Sequence, residues 1–123
     1  MKSYKDLEIY NLALGLAIKI RLMSLKLPVP DRFEVGDQIR RSSQSIKDNI
    51  VEGYGRRRYK ADFIKFLTYS HASLLEATSQ AAFLHLAFPD SKWDEISIEL
   101  ESLGVKINNF TTYVETSWKT TRI

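Results

Sequence analysis

The sequence predicts an all-α protein, an antiparallel up-down-up-down four-helix bundle, and three observations predict it. Four stretches of the 123-residue chain carry apolar residues at alternating steps of three and four. The prolines fall only between those stretches, at positions 28, 30 and 89, where they stop a helix. Nowhere does the chain show the strict alternation of a half-buried strand. Long helices joined by short connections pack most simply as antiparallel neighbours.

The first helix is expected over about residues 4–26. Ile9, Leu12, Leu16, Ile20, Met23 and Leu27 step by three or four, and Leu7, Leu14, Ile18 and Leu25 occupy a neighbouring face. That is more apolar surface than one side of a small bundle uses. Either the chain wraps this helix on both sides or one face meets another subunit, and the second is the expectation. Pro28 and Pro30 stop the helix, and Asp31 is placed to cap the next.

The second helix is expected over about 31–52. Ile39, Ile46 and Ile50 form its apolar face; Ser42, Ser43 and Ser45 are small enough to admit a neighbouring helix. Gly53 is expected to end it and Gly55 to follow in the turn. The third, about 59–88, carries an unbroken heptad seam of Phe63, Leu67, Ser70, Leu74, Ala77, Ala81, Leu84 and Phe88, with Phe66, Leu75, Phe83 and Leu86 adding apolar surface off it. The fourth, about 91–118, repeats the seam with Trp93, Ile96, Leu100, Leu103, Ile107, Phe110 and Val114. Gly104 lies inside it, where glycine costs about 1 kcal/mol relative to alanine, so a close contact is expected there. The tail from Thr116 lacks periodicity and is expected to fray. One domain, residues 1–123, accounts for the chain.

Composition narrows the function. The chain has no cysteine, hence no disulfide framework and no thiolate metal site. No apolar run approaches a membrane span, and charged residues interrupt the apolar N-terminal segment without a cleavage site after it, so a soluble cytoplasmic protein is expected. The net charge of +3 is unevenly spread: residues 1–65 carry 14 of the 18 Lys and Arg but 8 of the 15 Asp and Glu, a surplus of six positive charges. A basic half permits binding to polyanions.

The centre of interest is QIRRSSQSIKDNIVEGYGRRR, from Gln38 to Arg58. Gln38, Arg41, Ser45, Asn49 and Glu52 recur at helical steps on a strip beside the isoleucine face. Buried and unpaired, such groups cost about 1–3 kcal/mol each, so they are expected to bond to one another or to a neighbour. In that network Arg41 reaches Ser45 and Glu52, and Asn49 bridges helix ends; ligand contact is the alternative. Beyond the strip, Arg56, Arg57, Arg58, Lys60 and Lys65, with Tyr54 and Tyr59 among them, are the candidates for contacting nucleic acid. Cations position phosphates and tyrosines stack on bases, although a short cationic loop is often only solvated surface.

The run QIRRSSQSIKDNIVEGYGR resembles the signature of the four-helix-bundle proteins named for the intervening sequence of bacterial 23S ribosomal RNA. The flanks agree: Tyr4, Asp6, Leu7 and Tyr10 match the opening pattern, and Phe63, Phe66, Leu67, Ser73, Leu74 and Glu76 match the third helix. Arg58, Ser70 and Ala72 depart from the usual serine, alanine and glycine. The resemblance implies a four-helix bundle assembled into a ring-like homopentamer. It also implies kinship with accessory proteins of diversity-generating retroelements, which bind nucleic acid and a reverse transcriptase.

Catalytic chemistry finds little to work with. His71 and His85 are about 21 Å apart along one helix, too far to share a metal within a chain. Glu76 has Ser79, not histidine, three positions on, so no di-iron pattern forms. Ser45 and Glu52 are about 10 Å apart with no histidine between them. The Gly53–Arg56 turn resembles a phosphate loop but lacks its lysine and hydroxyl. A non-enzymatic homo-oligomer without cofactor or metal is therefore expected, binding RNA or DNA through the basic turn. The alternative is a scaffold whose basic surface docks an acidic protein partner.

Overall fold

In the computed structural model, which describes residues 3–119, the apolar registers become four α-helices: α1 (Glu8–Ser24), α2 (Val35–Gly55), α3 (Lys60–Ala87) and α4 (Trp93–Ser117). No strand occurs among the described residues. Contacts join α1 to α2, α2 to α3, α3 to α4 and α4 back to α1, and none joins α1 to α3 or α2 to α4. The helices thus form the four sides of a bundle around one core.

The seams of α3 and α4 fill that core as their spacing dictates. Phe63, Leu67, Ser70, Leu74, Ala77, Ala81 and Leu84 are buried, with Phe88 packed at the edge. From α4 come Trp93, Ile96, Leu100, Leu103, Ile107 and Val114, with Phe110 partly covered. Ile39, Ile46 and Ile50 of α2 meet them with no exposed surface to speak of. Each large aliphatic side chain buried in this way contributes roughly 1.5–3 kcal/mol.

The first helix differs from its expected phase and start. Ser3 closes a 3-10 turn at Tyr4–Asp6, donating its N–H to Asp6 Oδ2 at 3.1 Å while its own Oγ accepts from the Lys5 N–H. Leu7 is then extended, and α1 begins at Glu8 rather than near residue 4. The interruption tucks Leu7 into the core, and the buried face of α1 becomes Ile9, Ala13, Leu16, Ala17, Ile20 and Ser24. Leu12, expected inside, is 40% exposed. Ile18, Leu22 and Leu25 are exposed as well.

The start of α2 is also corrected. Asp31 does not cap it: its backbone carbonyl accepts from Gly36 N–H at 2.8 Å, residues 31–34 form turns, and α2 begins at Val35. Arg40 holds this connection in place, donating to Ser24 Oγ and to the Arg32 carbonyl, both at 2.8 Å.

Gly53 does not end α2, which runs on through Gly55, and no glycine has a positive φ. Its role is steric, since a Cβ there would stand 3.2 Å from both Phe63 Cδ1 and Phe66 Cβ. Gly104 is similar: a Cβ would meet Leu74 Cδ2 at 3.1 Å. At the C-terminal end, Thr116 and Ser117 belong to α4 and Trp118 packs edge-on against Phe63 at 5.2 Å; the remainder of the tail expected to fray, from residue 120, lies outside the described residues. Among the described residues no helix is long and apolar enough to cross a membrane.

Candidate nucleic-acid interface

The basic turn joins α2 to α3, and the fold treats its cations unequally. Arg56 occupies the end of α2, with Nε 3.5 Å from Glu52 Oε2, Nη1 3.9 Å from Asp62 Oδ2 and its guanidinium over the Phe66 ring at 4.8 Å. Much of its charge is answered locally. Arg57 lies across the Tyr54 ring at 4.1 Å and donates to the Tyr54 carbonyl at 3.0 Å. A cation on an aromatic face is held by the ring quadrupole, so Arg57 acts as a cover for the end of the core.

That arrangement removes Tyr54 from the set of stacking candidates. Its ring is 5% exposed and edge-on to Phe63, with Arg57 on one face. Tyr59, in contrast, is 61% exposed at the start of α3, with Arg58 beside its ring at 5.8 Å. No side chain caps this helix start, where Tyr59 holds the N-cap position. Lys65 stands 5.9 Å from the ring of Tyr69, which is 44% exposed. Arg58, Lys60 and Lys65 have no ion-pair partner among the described residues. The free cations of the turn are these three, and the exposed rings are Tyr59 and Tyr69. Sequence reasoning missed Tyr69, which its position four residues after Lys65 on one helix face could have suggested.

The polar strip of α2 divides in two. Asn49 Nδ2 donates to the Ser45 carbonyl at 2.9 Å and to Ser45 Oγ at 3.0 Å, and Ser45 Oγ meets Ser73 Oγ of α3 at 2.8 Å. Asn49 therefore bonds within its own helix and does not bridge helix ends. Arg41 reaches neither Ser45 nor Glu52; it turns back to Asp37, Nε to Oδ2 3.1 Å, with 80% of its side chain exposed. Glu52 pairs with Arg56, and Gln38 is exposed at the rim of a shallow polar recess of about 430 Å³ that Glu76 and Gln80 also line. The shortest hydrogen bonds between α2 and α3 come from residues outside the strip. Ser42 Oγ donates to Gln80 Oε1 at 2.6 Å, and Ser70 Oγ donates to the Ile46 carbonyl at 2.7 Å. Buried hydroxyls facing a carbonyl across a tight seam satisfy both groups at once.

No group of three or more His, Cys, Asp or Glu among the described residues is arranged to hold a metal ion. His71 lies at the α4 contact, its Nε2 3.9 Å from where a Gly104 Cβ would be.

Sequence comparison adds a family to this geometry. The profile of the 23S rRNA-intervening sequence proteins matches residues 5–109, a span that takes in α1 to α3, the basic turn and most of α4. The chain belongs to that family. A solved structure of the same fold is the crystal structure of a protein with unknown function from the S23 ribosomal protein family of Bacteroides thetaiotaomicron. This family member superposes on it with a TM-score of 0.75 at 20% identity, over 85% of this chain and 95% of that one. At that identity the likeness speaks for the fold. No curated protein matches the chain.

Proposed function

We propose that this 23S rRNA-intervening sequence protein is a non-enzymatic, cytoplasmic, homo-oligomeric bundle that presents its basic turn to RNA or DNA. The observation that carries the reading is the pairing of cations that have no ion-pair partner among the described residues with exposed rings near the start of α3, Arg58 beside Tyr59 at 5.8 Å and Lys65 beside Tyr69 at 5.9 Å. Unpaired cations next to open aromatic faces suit a phosphate backbone with unstacked bases.

The helices are read as antiparallel, up-down-up-down. Residue numbers that rise along α2 as they fall along α3 support this, in the pairs Ser42–Gln80, Ser45–Ser73 and Ile46–Ser70. A ring-like homopentamer is the assembly proposed, supported by the apolar residues left on outer faces: Ile18 of α1, Leu25 just after it, and Leu75, Phe83 and Leu86 of α3.

Titrating fluorescent single-stranded RNA and DNA at several salt concentrations, with the mass followed by light scattering, tests the reading. Binding is expected with little sequence preference and a log affinity that falls linearly with log salt. Arg58→Gln with Lys65→Gln flattens that slope by about 0.7 per lost single-strand phosphate contact, whereas Arg56→Gln with Arg57→Gln changes it less, because those guanidiniums are already engaged. Unchanged affinity and slope in the Arg58/Lys65 variant reject the nucleic-acid reading and favour an acidic protein partner. A scattering mass near the 14.2 kDa of one chain rejects the oligomer.

A further inference from the structure

Between the C-terminal half of α1 and the start of α4 lies an open groove of about 470 Å³, within the range of small-molecule sites. Its walls are Leu22, Met23, Leu27, Phe88 and Trp93. Trp93 is 1% exposed and so belongs to the rigid core, while Leu22 is 59% exposed and Met23, unbranched, adapts to what it meets. Rigid aromatic floor and adaptable rim are the two properties an apolar ligand body uses.

The rim carries charge of mainly one sign. Lys19, Lys26 and Lys92 line the groove against a single carboxylate, Glu95. Lys19 is engaged by Glu99 at 3.0 Å, but Lys26 and Lys92 have no ion-pair partner among the described residues. Lys92 also stands at the cap position of α4 and gives that helix no side-chain hydrogen bond. Asp94 and Glu95 answer the positive end of the α4 dipole, which leaves the two lysine ammoniums as the uncompensated charge. They come from opposite walls, one after α1 and one before α4.

We propose that this groove binds a soluble amphipathic monoanion, a compact apolar body carrying a carboxylate, with the body against Leu22, Met23 and Phe88 over the buried Trp93 and the head between Lys26 and Lys92. Charge complementarity selects this occupant: a neutral apolar molecule would leave both ammoniums unused, and a cation would face two like charges. The site lies on α1 and α4, separate from the turn between α2 and α3.

Dodecanoate, kept below its micelle concentration, is the probe. In the Trp118→Phe variant Trp93 is the sole tryptophan, so its emission reports the groove, and calorimetry of the full chain gives the affinity. Saturable binding at one site per chain with a change in Trp93 emission is expected. Dodecyltrimethylammonium is expected to bind at least about tenfold more weakly, and so is dodecanoate to Lys26→Glu/Lys92→Glu, as loss of a charge-assisted contact implies. Both lysines are exposed, so this variant keeps the fold, checked by its circular dichroism. Equal affinity for the two amphiphiles, retained affinity in the double variant, or silent Trp93 emission overturns the proposal. So does a change in oligomer mass in the double variant without ligand, which makes the groove an interface between copies. Sedimentation with anionic vesicles in the absence of dodecanoate binding likewise overturns it, in favour of a membrane surface.

Discussion

The α2/α3 and α1/α4 sides of this bundle solve the same packing problem in opposite ways. Across α2 and α3 the contact is tight: Gly53 admits Phe63 and Phe66, and Ser42, Ser45 and Ser70 reach Gln80, Ser73 and the Ile46 carbonyl at 2.6–2.8 Å. Across α1 and α4 the link is made by long side chains at the surface. Lys19 meets Glu99 at 3.0 Å and Lys106 meets Glu8 at 2.7 Å, with recesses beneath lined by Leu12, Leu16 and Leu103. Small residues and short hydroxyls fix helix register because they permit one separation only. Long exposed ion pairs tolerate several separations and contribute about 0–1 kcal/mol. Register is therefore held on one side of the molecule and accessible surface lies on the other.

Seven substitutions would break or sharpen that contrast. The largest effect is expected from Phe63→Ala, which empties a fully buried site touching α2, α4 and Trp118. Chemical denaturation is expected to show a loss of about 3–5 kcal/mol, against less than about 1 kcal/mol for Leu12→Ala on the open side. Equal losses would mean that the two sides are packed alike.

Next come the glycines. Gly53→Ala pushes a methyl into Phe63 and Phe66 and is expected to cost about 1–3 kcal/mol. Gly15→Ala, in α1 where nothing lies within 4 Å of the new methyl, is expected to stabilise by up to about 1 kcal/mol. Thermal melts of the pair read opposite signs, and a shared sign defeats the comparison.

Ser70→Ala removes one buried bond to the Ile46 carbonyl and is expected to cost about 1 kcal/mol. Smallest is Lys106→Ala, within about 1 kcal/mol and shrinking as salt rises, since the pair it breaks is exposed. Glu52→Ala belongs with it, because Glu52 meets Arg56 at 3.5 Å on the surface and Asp62, 3.9 Å from the same guanidinium, remains to answer its charge.

Why some of this was legible in the sequence and some was not follows from residue size and local geometry. The seam from Phe63 to Phe88 could be read because Phe63, Leu67, Leu74, Leu84 and Phe88 hold one register that carries across the small Ser70, Ala77 and Ala81. On α1 the buried face is marked by Ala13, Ala17 and Ser24, which weigh little in any count of apolar spacing, so Leu12 looked internal and is not. Asp31 had the chemistry of a cap, but backbone bonds from Glu34 to Pro30 and from Gly36 to Asp31 moved the helix start to Val35. Gly53 looked like a terminator because its neighbours Phe63 and Phe66 come from another helix. Among the basic residues, composition identified the cluster, while the partition into engaged Arg56 and Arg57 and unpaired Arg58, Lys60 and Lys65 depends on rotamers chosen at the end of α2, where Arg56 meets Glu52 and Arg57 covers Tyr54, and on the approach of Asp62 and Phe66 from α3.

Among the four α-helices the meeting of α1 with α4 is also the one contact between elements that do not follow each other in the chain, and this bears on time rather than strength. Contacts between consecutive helices close short loops, while this one joins segments separated by most of the sequence. The α2–α3 hairpin, with its short turn and interlocked hydroxyls, is expected to form early, and the seam between first and last helix to close last and open first. Amides of α1 are accordingly expected to exchange with solvent through smaller, more frequent openings than those of α3. In such openings α1 swings away while the hairpin endures, so the half of the molecule that carries the basic turn stays ordered when the other half breathes.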